Sequence, residues 1–497
     1  MLTNNQPDYH LRQRIGLFLG IIIFILMLFL PAPGTLGTAG WHAAAIALLM
    51  GIWWITEAIP IAATALIPLV LFPILGVNSI DDAARPYANP LIFLFMGGFM
   101  IAIAMQAWNL HRRIALNIIK FIGVKPSSVI IGFIIASGFL SMWVSNTATA
   151  MMMLPIALSI IELLENRKAQ QDYREKLNFE IVLVLSIAYA SNIGGMGTLI
   201  GTPPNALLAG FMHENYHIDI GFAEWMEVGL PLVIIALPLM YLLLAKVIYP
   251  IEITELPGGK DIIDREMAEL GEFSKPEKIV AIVFFLTALF WIGRPLLSKI
   301  IPGLSDAGIA MAAALLLFLI PVDFNSGRFV LSWEDVKKLP WGVLILFGGG
   351  LSLASAISDS GLAKWIGSGV AGLSGWPILA MIFIVVALIV FLTEMTSNTA
   401  TTAAFLPIMA SAAIGIGQNP LLFIVPAALS ASCAFMLPVA TPPNAIVYGS
   451  GRVTIPEMSK AGLWLNMTFI ILITIAAYTL ISYSFGIRIG QVPGWVH

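Results

Sequence analysis

Charged residues are scarce in this sequence. Asp, Glu, Lys and Arg make up 11% of the 497 residues, whereas hydrophobic residues make up 59%. An ordinary soluble domain has about 25% charged residues, because its surface faces water. A chain so poor in charge must face lipid over most of its surface. The composition therefore excludes a soluble globular protein and predicts a polytopic membrane protein.

Cysteine is nearly absent too. Cys433 is the one cysteine of the chain, which excludes an internal disulfide framework and any Cys-rich metal or iron–sulfur site. The net charge is −3 and no basic stripe follows the chain, so no nucleic-acid partner is expected. We also expect no organic cofactor.

Long apolar runs predict about eleven transmembrane helices, because a spanning helix needs roughly 20 apolar residues. The first run, 15–56, contains no Asp, Glu, Lys or Arg and is broken by the Pro- and Gly-containing segment 31–40. Further apolar segments lie near 59–77, 90–110, 126–161, 181–212, 228–248, 279–300, 307–321, 340–358, 375–415, 420–447 and 462–486. The predicted fold class is an all-α membrane protein.

Lysine and arginine are distributed unequally between the connections. With the N-terminus placed inside, 20 of the 25 Lys and Arg residues fall on the cytoplasmic side. Cytoplasmic loops of membrane proteins carry such an excess. The sequence therefore predicts a multi-pass protein of the cytoplasmic (inner) membrane, with its N-terminus in the cytoplasm and its C-terminus outside.

Two long apolar segments, 126–161 and 375–415, are predicted to be re-entrant hairpins. As one helix, 36 residues would extend about 54 Å, whereas the hydrocarbon core is about 30 Å thick. Both flanks of 126–161 are basic, so both ends should lie in the cytoplasm. Two full spans of about 18 residues each would also fit the length, but they would place the polar cluster 145–147 at the far interface.

An internal repeat favours the hairpins over two full spans. The pentapeptide SNTAT at 145–149 recurs at 397–401, and the tetrapeptide TPPN at 202–205 recurs at 441–444. The predicted orientation places the ends of the first hairpin inside and those of the second outside, so the two halves are inverted. Inverted repeats with interrupted helices are typical of secondary transporters, whose binding site lies at the interruptions.

The predicted domain boundaries follow this repeat. The chain divides into an N-terminal cytoplasmic segment with the first helix (1–40), a first repeat (41–250), a cytoplasmic linker (251–276) and a second repeat (277–490). The hairpins at about 126–161 and 375–415 occupy corresponding places in the two repeats.

The chemistry of the interruptions suits both a cation and an anion. Where one half-helix ends, unpaired carbonyls with Ser and Asn oxygens can bind a hard cation. Where the next begins, free N–H groups and the positive end of the helix dipole can bind an anion. Ser141 and Thr393 stand four residues before the two motif serines, on the same helix face. No Lys or Arg lies in these segments, so bound Na⁺ would supply the positive charge.

The paired Ser-Asn-Thr motifs, each followed by Thr-Pro-Pro, resemble those of the divalent anion/Na⁺ symporter family. The resemblance implies transport of dicarboxylates, tricarboxylates or sulfate by a homodimer in the membrane lipid, in which an elevator-type transport domain moves against a scaffold domain. It implies one Na⁺ site near Ser141, Ser145, Asn146 and Gly201, and a second near Thr393, Thr396, Asn398 and Ala440. It implies that the substrate carboxylates meet Asn146, Thr147, Asn398, Thr399, Thr441 and Pro442.

From these motifs we predict Na⁺-coupled import of a small dicarboxylate such as succinate, malate or fumarate, by a transporter rather than an enzyme. The main alternative is a Na⁺-independent dicarboxylate or tricarboxylate exchanger on the same fold. Related exchangers often carry an Arg shortly after one Ser-Asn-Thr, whereas this chain has Thr149 and Thr401 there.

Two further signals are weaker. His213, Glu214 and His217 match the zinc-protease pattern HExxH, with Asp219 or Glu224 as a third ligand, and would give a membrane metalloprotease. They lie in a polar connection at the end of an apolar segment, where a solvated loop is expected. Glu394 lies in an apolar run, where carboxylates are often functional, and could either carry a proton or brace the hairpin tip. Bracing is the preferred interpretation.

Overall fold

The structure, a computed structural model, describes residues 10–166, 173–253, 256 and 258–496. The first half of this part of the chain holds α1 (Leu11–Phe29), α2 (Thr38–Thr56), α3 (Ile61–Thr64), α4 (Ile67–Ile74), α5 (Ile80–Ala84), α6 (Pro90–Ala107), α7 (Leu110–Ile122), α8 (Pro126–Ser141), α9 (Asn146–Asn166), α10 (Tyr173–Gly195), α11 (Pro203–Tyr216) and α12 (Phe222–Leu242). A 3₁₀ turn at Arg85–Ala88 joins α5 to α6, and a π-turn at Leu243–Ile248 extends α12.

The second half holds α13 (Gly259–Leu270), α14 (Lys275–Leu297), α15 (Asp306–Leu319), α16 (Trp333–Val336), α17 (Trp341–Asp359), α18 (Leu362–Val370), α19 (Ile378–Thr393), α20 (Asn398–Gly415), α21 (Leu421–Ala431), α22 (Pro442–Gly449), α23 (Ile455–Ala476) and α24 (Ser482–Ser484). A 3₁₀ turn follows α18 at Ala371–Leu373, and a π-turn at Ala477–Ile481 joins α23 to α24. Two short strands, β1 (Pro321–Asp323) and β2 (Arg328–Phe329), pair antiparallel.

Eight stretches of the described chain are long and apolar enough to cross a membrane. They are Leu11–Phe29, Thr38–Thr56, Ile80–Ala107, Leu177–Gly195, Phe222–Ile248, Lys275–Leu297, Trp341–Asp359 and Ile455–Ser484. Shorter apolar helices, among them α8, α15, α19 and α21, lie between them. The predicted all-α, multi-pass class is confirmed, and the predicted number of about eleven spans stays a prediction.

The helices are interrupted at each copy of the two repeated motifs. Four residues separate α8 from α9 and α19 from α20, and longer non-helical segments separate α10 from α11 and α21 from α22. Both α11 and α22 begin on the paired prolines, since proline fits a first turn but not a helix interior. Ser397 caps α20 through a bond from Ala400 N to its Oγ. The sequence positions of these breaks therefore match the predicted ones.

Glycine pairs bring some of these helices into backbone contact. A Cβ atom on Gly194 of α10 would lie 2.1 Å from the carbonyl oxygen of Gly138 in α8. Small residues allow helices in membranes to approach this closely. The hairpin of α8 and α9 is therefore packed directly on the backbone of α10, three residues from the end of α8.

Gly194→Ala is expected to destabilise the protein, because the methyl group would overlap the Gly138 backbone. Overpacking of this kind costs about 1–3 kcal/mol, which thermal unfolding in detergent would detect as a lower midpoint. Gly51→Ala in α2 is the matched control, since a Cβ there meets no atom within 4 Å. Equal midpoints for the two variants would contradict the close contact.

The predicted linker 251–276 contains the amphipathic helix α13, which is docked on α7 by ion pairs. Arg112 pairs with Glu266, and Lys120 Nζ lies 2.7 Å from Asp264 Oδ1. The hydrogen bond from Lys120 lowers the pKa of the Asp264 carboxyl below its ordinary value. Residues Gly259–Leu270 of this segment are therefore helical and anchored to α7.

Candidate functional site

The four helix interruptions line one cavity of about 1050 Å³. The non-helical and first-turn residues that they contribute are Ser145, Asn146, Thr147, Ala148, Gly201, Thr202, Pro203, Thr396, Ser397, Asn398, Thr399, Pro438, Val439, Ala440, Thr441, Pro442 and Pro443. The two copies of each motif, which lie about 240 to 250 residues apart in sequence, thus meet at one place. A cavity of this size accommodates a small organic ion with water.

The six residues predicted to meet substrate all lie on the cavity wall. They are Asn146, Thr147, Asn398, Thr399, Thr441 and Pro442. Of the predicted cation ligands, Ser145, Gly201, Thr396 and Ala440 also line the cavity, together with the two asparagines. Ser141 and Thr393 are fully buried behind the tips. The structure therefore brings the whole predicted set together in one region.

The buried hydroxyls behind the tips make equivalent contacts in the two repeats. Ser141 Oγ lies 2.5 Å from the side-chain amide of Asn146, and Thr393 Oγ1 donates to Asn398 Oδ1 at 2.7 Å. Each hydroxyl thus holds the side chain of the motif asparagine against the end of the preceding half-helix. At each motif asparagine a hydroxyl and an amide group therefore meet, and both can supply the oxygen ligands that a hard cation requires.

Oxygen atoms cluster around the Asn146 amide. The end of this amide that meets Ser141 also faces the carbonyl oxygens of Ser191 and Gly201, at 3.2 and 3.3 Å. With nitrogen at this end, the amide donates to both carbonyls. With oxygen at this end, four oxygen atoms face one another, an arrangement that a cation stabilises. This group of oxygen atoms therefore suits Na⁺, which prefers oxygen ligands.

The corresponding region of the second repeat has an additional hydroxyl contact. Thr396 Oγ1 and Thr401 Oγ1 lie 2.6 Å apart. In the first repeat Val144 stands at the position of Thr396, and the buried hydroxyl of Thr149 has no hydrogen-bond partner among the described residues. We call the surroundings of Asn146 and of Asn398 the two half-sites. They share the motif asparagine but differ in the oxygen atoms around it.

Two asparagines to which the sequence reasoning assigned no role hold the non-helical segments in place. Asn205 Nδ2 donates to Gly195 O at 3.1 Å and to Thr198 O at 2.8 Å. Asn444 Nδ2 donates to Ala434 O and to Leu437 O, both at 3.1 Å. Both asparagines are fully buried. Their recurrence as the fourth letter of TPPN was the available signal.

The Glu394 carboxylate binds the non-helical segment between α21 and α22. It accepts hydrogen bonds from the backbone N–H groups of Phe435 at 2.7 Å, Met436 at 2.9 Å and Leu437 at 3.2 Å, and from Asn466 Nδ2 at 2.8 Å. Only 3% of the residue is exposed, and it does not line the cavity. These contacts are those that the bracing interpretation requires.

Glu57 and Lys338 are the charged residues among those that line the cavity, and the amide of Gln106 lines it too. Arg12 Nη1 donates to the carbonyl oxygen of Met395, in the tip of the second hairpin, at 2.7 Å. Lys338 was missed from sequence because it lies in a connection and not in a motif-bearing segment.

The HExxH motif does not have the geometry of a zinc protease. His217 is the left-handed C-cap of α11, outside the regular helix on which two imidazoles would share a metal. His213 Nδ1 lies 2.6 Å from Asp219 Oδ1, and Glu214 accepts a hydrogen bond from Asn89 at 3.1 Å. Within the described ranges, no three His, Cys, Asp or Glu residues are grouped to hold a metal ion.

Comparison with known proteins gives matches over nearly the whole chain. The family model of the sodium:sulfate symporter transmembrane region matches residues 11–483. A Staphylococcus saprophyticus protein named sodium-dependent dicarboxylate transporter SdcS is 45% identical over 499 residues, covering 99% of this chain and 96% of the relative. The protein of that name from Staphylococcus aureus is 46% identical over 494 residues, covering 98% and 95%.

Solved structures resemble the fold at low sequence identity. The Alcanivorax borkumensis YdaH transporter has a TM-score of 0.56 at 13% identity, with 96% of this chain and 97% of that chain covered. Neisseria gonorrhoeae MtrF has a TM-score of 0.58 at 13% identity, with 93% and 95% covered. At this identity the likeness shows the fold alone.

Proposed function

The chain belongs to the sodium:sulfate symporter family, and we propose that it imports a small dicarboxylate, of the succinate, malate and fumarate class, together with Na⁺. The predicted family resemblance and the predicted transporter class, rather than an enzyme, are confirmed. The observation that carries the proposal is the convergence of both Ser-Asn-Thr tips and both Thr-Pro-Pro segments on one cavity. The names of the relatives supply the substrate class.

We propose that the two tips bind the two ends of the dicarboxylate. Helices α9 and α20 begin at Asn146 and Asn398, and α22 begins at Pro442. The N-termini of α9 and α20 present free N–H groups and positive dipole ends to a carboxylate. Helix α22 begins with two prolines, which have no N–H group, so it contributes only its dipole end. The hydroxyls of Thr147, Thr399 and Thr441 add donors. Two carboxylates with a short spacer match this paired arrangement better than a single compact anion does.

The cation binds behind each tip in this proposal. The first Na⁺ meets Ser141, Ser145, Asn146 and Gly201, and the second meets Thr393, Thr396, Asn398 and Ala440. Since the motif asparagines belong to both sets, cation and anion share a ligand on each side. Bound Na⁺ thereby supplies the positive charge that the motif-bearing segments lack.

We propose alternating access by an elevator-type motion in a homodimer of the cytoplasmic membrane. The halves 41–250 and 277–490 would be inverted repeats, with the hairpins in a mobile domain and the N-terminus in the cytoplasm. Glu57, Gln106 and Lys338 would then lie at cytoplasmic helix ends, and the cavity that they line would face inward. The charge distribution of the connections and the helix interruptions support alternating access between inverted repeats, and the homodimer follows from the family resemblance alone.

Uptake of labelled succinate into proteoliposomes tests the proposed function. We expect uptake into vesicles without internal substrate under an inward Na⁺ gradient, and background uptake under an equal K⁺ gradient. Internal unlabelled succinate should not be required. Uptake only into preloaded vesicles, at equal rates in Na⁺ and K⁺, would instead identify a Na⁺-independent exchanger. Labelled citrate and sulfate, added in parallel, would test the choice of substrate class.

A further inference from the structure

A buried asparagine connects the half-sites of the two repeats. Asn192 of α10 is 1% exposed and lines the cavity. Its Nδ2 donates to Ala434 O at 3.3 Å and to Thr441 Oγ1 at 3.2 Å, both in the second repeat. A backbone carbonyl can only accept hydrogen bonds. The nitrogen of the Asn192 amide must therefore face Ala434, and its oxygen must face the other way.

The oxygen of Asn192 faces the Asn146 amide. When the nitrogen of the Asn146 amide lies on the side of Asn192, Nδ2 is 3.5 Å from Asn192 Oδ1, which is a long hydrogen bond. The oxygen of Asn146 then faces the carbonyls of Ser191 and Gly201. Acceptors that face one another in a buried site are destabilising unless a donor or a cation lies between them.

Turning Asn146 over exchanges one set of contacts for another. Its nitrogen would then donate to the carbonyls of Ser191 and Gly201 and to Ser141 Oγ, but the hydrogen bond to Asn192 Oδ1 would be lost. The turned amide is thus satisfied without a cation, whereas the contact with Asn192 exists only in the orientation that presents an oxygen to a cation. Ala431 occupies the position of Asn192 in the second repeat, so this constraint is specific to the first.

We infer that Asn192 is a positioning residue that couples Na⁺ bound in the first repeat to the substrate site. Through its oxygen it stabilises the Asn146 orientation that presents an oxygen to Na⁺. Through its nitrogen it fixes the hydroxyl of Thr441, which lines the cavity. The inference rests on the proposed Na⁺-coupled function. It gives a physical reason for the cation to bind before the dianion.

Thermal unfolding of the purified full-length protein, titrated with NaCl against KCl at constant ionic strength, tests the inference without a transport assay. A ligand that binds only the folded state raises the unfolding midpoint. In Asn192→Ala, Asn146 is free to turn and donate to both carbonyls, so the oxygen cluster is satisfied without a cation. The Na⁺ concentration for half-maximal stabilisation should rise about tenfold, as expected for one lost interaction.

Asn192→Asp separates positioning from damage to the fold. It keeps an oxygen toward Asn146 and adds a negative charge, so Na⁺ affinity should stay equal or increase. It cannot donate to Thr441 when ionised and it repels a dianion, so added succinate should stabilise it at least tenfold less effectively. Ser186→Ala is the matched control on α10, because that buried hydroxyl has no hydrogen-bond partner among the described residues.

The outcomes separate this inference from the proposed function. Equal losses of Na⁺ affinity in the alanine and aspartate variants, or a wild-type Na⁺ response in Asn192→Ala, would overturn the role of Asn192 and leave Na⁺ coupling intact. A wild-type protein that Na⁺ stabilises no more than K⁺ does would overturn the proposed coupling itself, and the inference with it.

Discussion

Replacement of Glu394 by leucine is expected to abolish transport and to lower the thermal unfolding midpoint. The side chain accepts hydrogen bonds from three successive backbone N–H groups and from Asn466. Leucine has similar bulk but no acceptor, so these donors would remain buried and unpaired. Each such group costs about 1–3 kcal/mol, a large fraction of the stability of an ordinary domain. The non-helical segment that presents Ala440 and Thr441 to the cavity would lose its position.

Glu394→Gln should have an intermediate effect. Its one amide oxygen can accept from Phe435 and Met436, whereas its NH₂ group would face the N–H of Leu437. Uptake rate and unfolding midpoint are measured on the same preparations, with Glu334→Gln as control, because that carboxylate is 78% exposed and pairs only with Lys337 in the contacts described. Wild-type uptake and a wild-type unfolding midpoint in Glu394→Leu would show that the carboxylate is not needed to position the segment between α21 and α22.

Alanine at Asn146 or at Asn398 should reduce initial uptake about 100-fold or more while the protein stays folded. Each side chain would lose an oxygen ligand to the cation and a donor to the substrate. Two interactions with charged groups, at about 1.5 kcal/mol each, correspond to about a 100-fold loss. The hydroxyls of Ser141 and Thr393 would lose their partners in the respective variants.

The measurement is succinate uptake at matched protein levels, with the unfolding midpoint as a check on folding. Asn215→Ala is the control, since its amide bonds only to Phe211 O within α11 in the contacts described. Wild-type uptake by either variant would show that the motif asparagines do not bind the substrate or the cation as proposed. Loss of uptake with a strongly lowered midpoint would indicate misfolding. Titration of the same variant with Na⁺ would then show whether the remaining folded protein still binds the cation.

Much of the architecture could be predicted from sequence because the membrane imposes simple rules. Apolar runs gave the positions of helices such as α14 and α17, and paired prolines gave the starts of α11 and α22. The duplicated motifs indicated which helix breaks would meet. These signals are local, or repeated letter for letter, so one sequence is enough to detect them.

The interactions that organise the site could not be found in this way. Glu394 is bonded to residues 41 to 43 positions away, and Asn192 to a residue 242 positions away. No local pattern determines such a pairing, which depends on how the repeats pack. Lys338 lies far from every repeated motif in sequence, and only the fold places it on the wall of the same cavity. The HExxH pattern is the opposite case: the sequence matches, but His217 lies outside the regular helix that a zinc protease requires.

The close packing of the hairpin tips limits how this protein can move. Beside the first tip, the backbone of Gly138 lies against that of Gly194, and beside the second the Glu394 carboxylate is bonded to the segment around Met436. Neither tip can swing away as an independent flap without breaking these contacts. A motion in which each tip travels together with the segment bonded to it would leave these contacts intact.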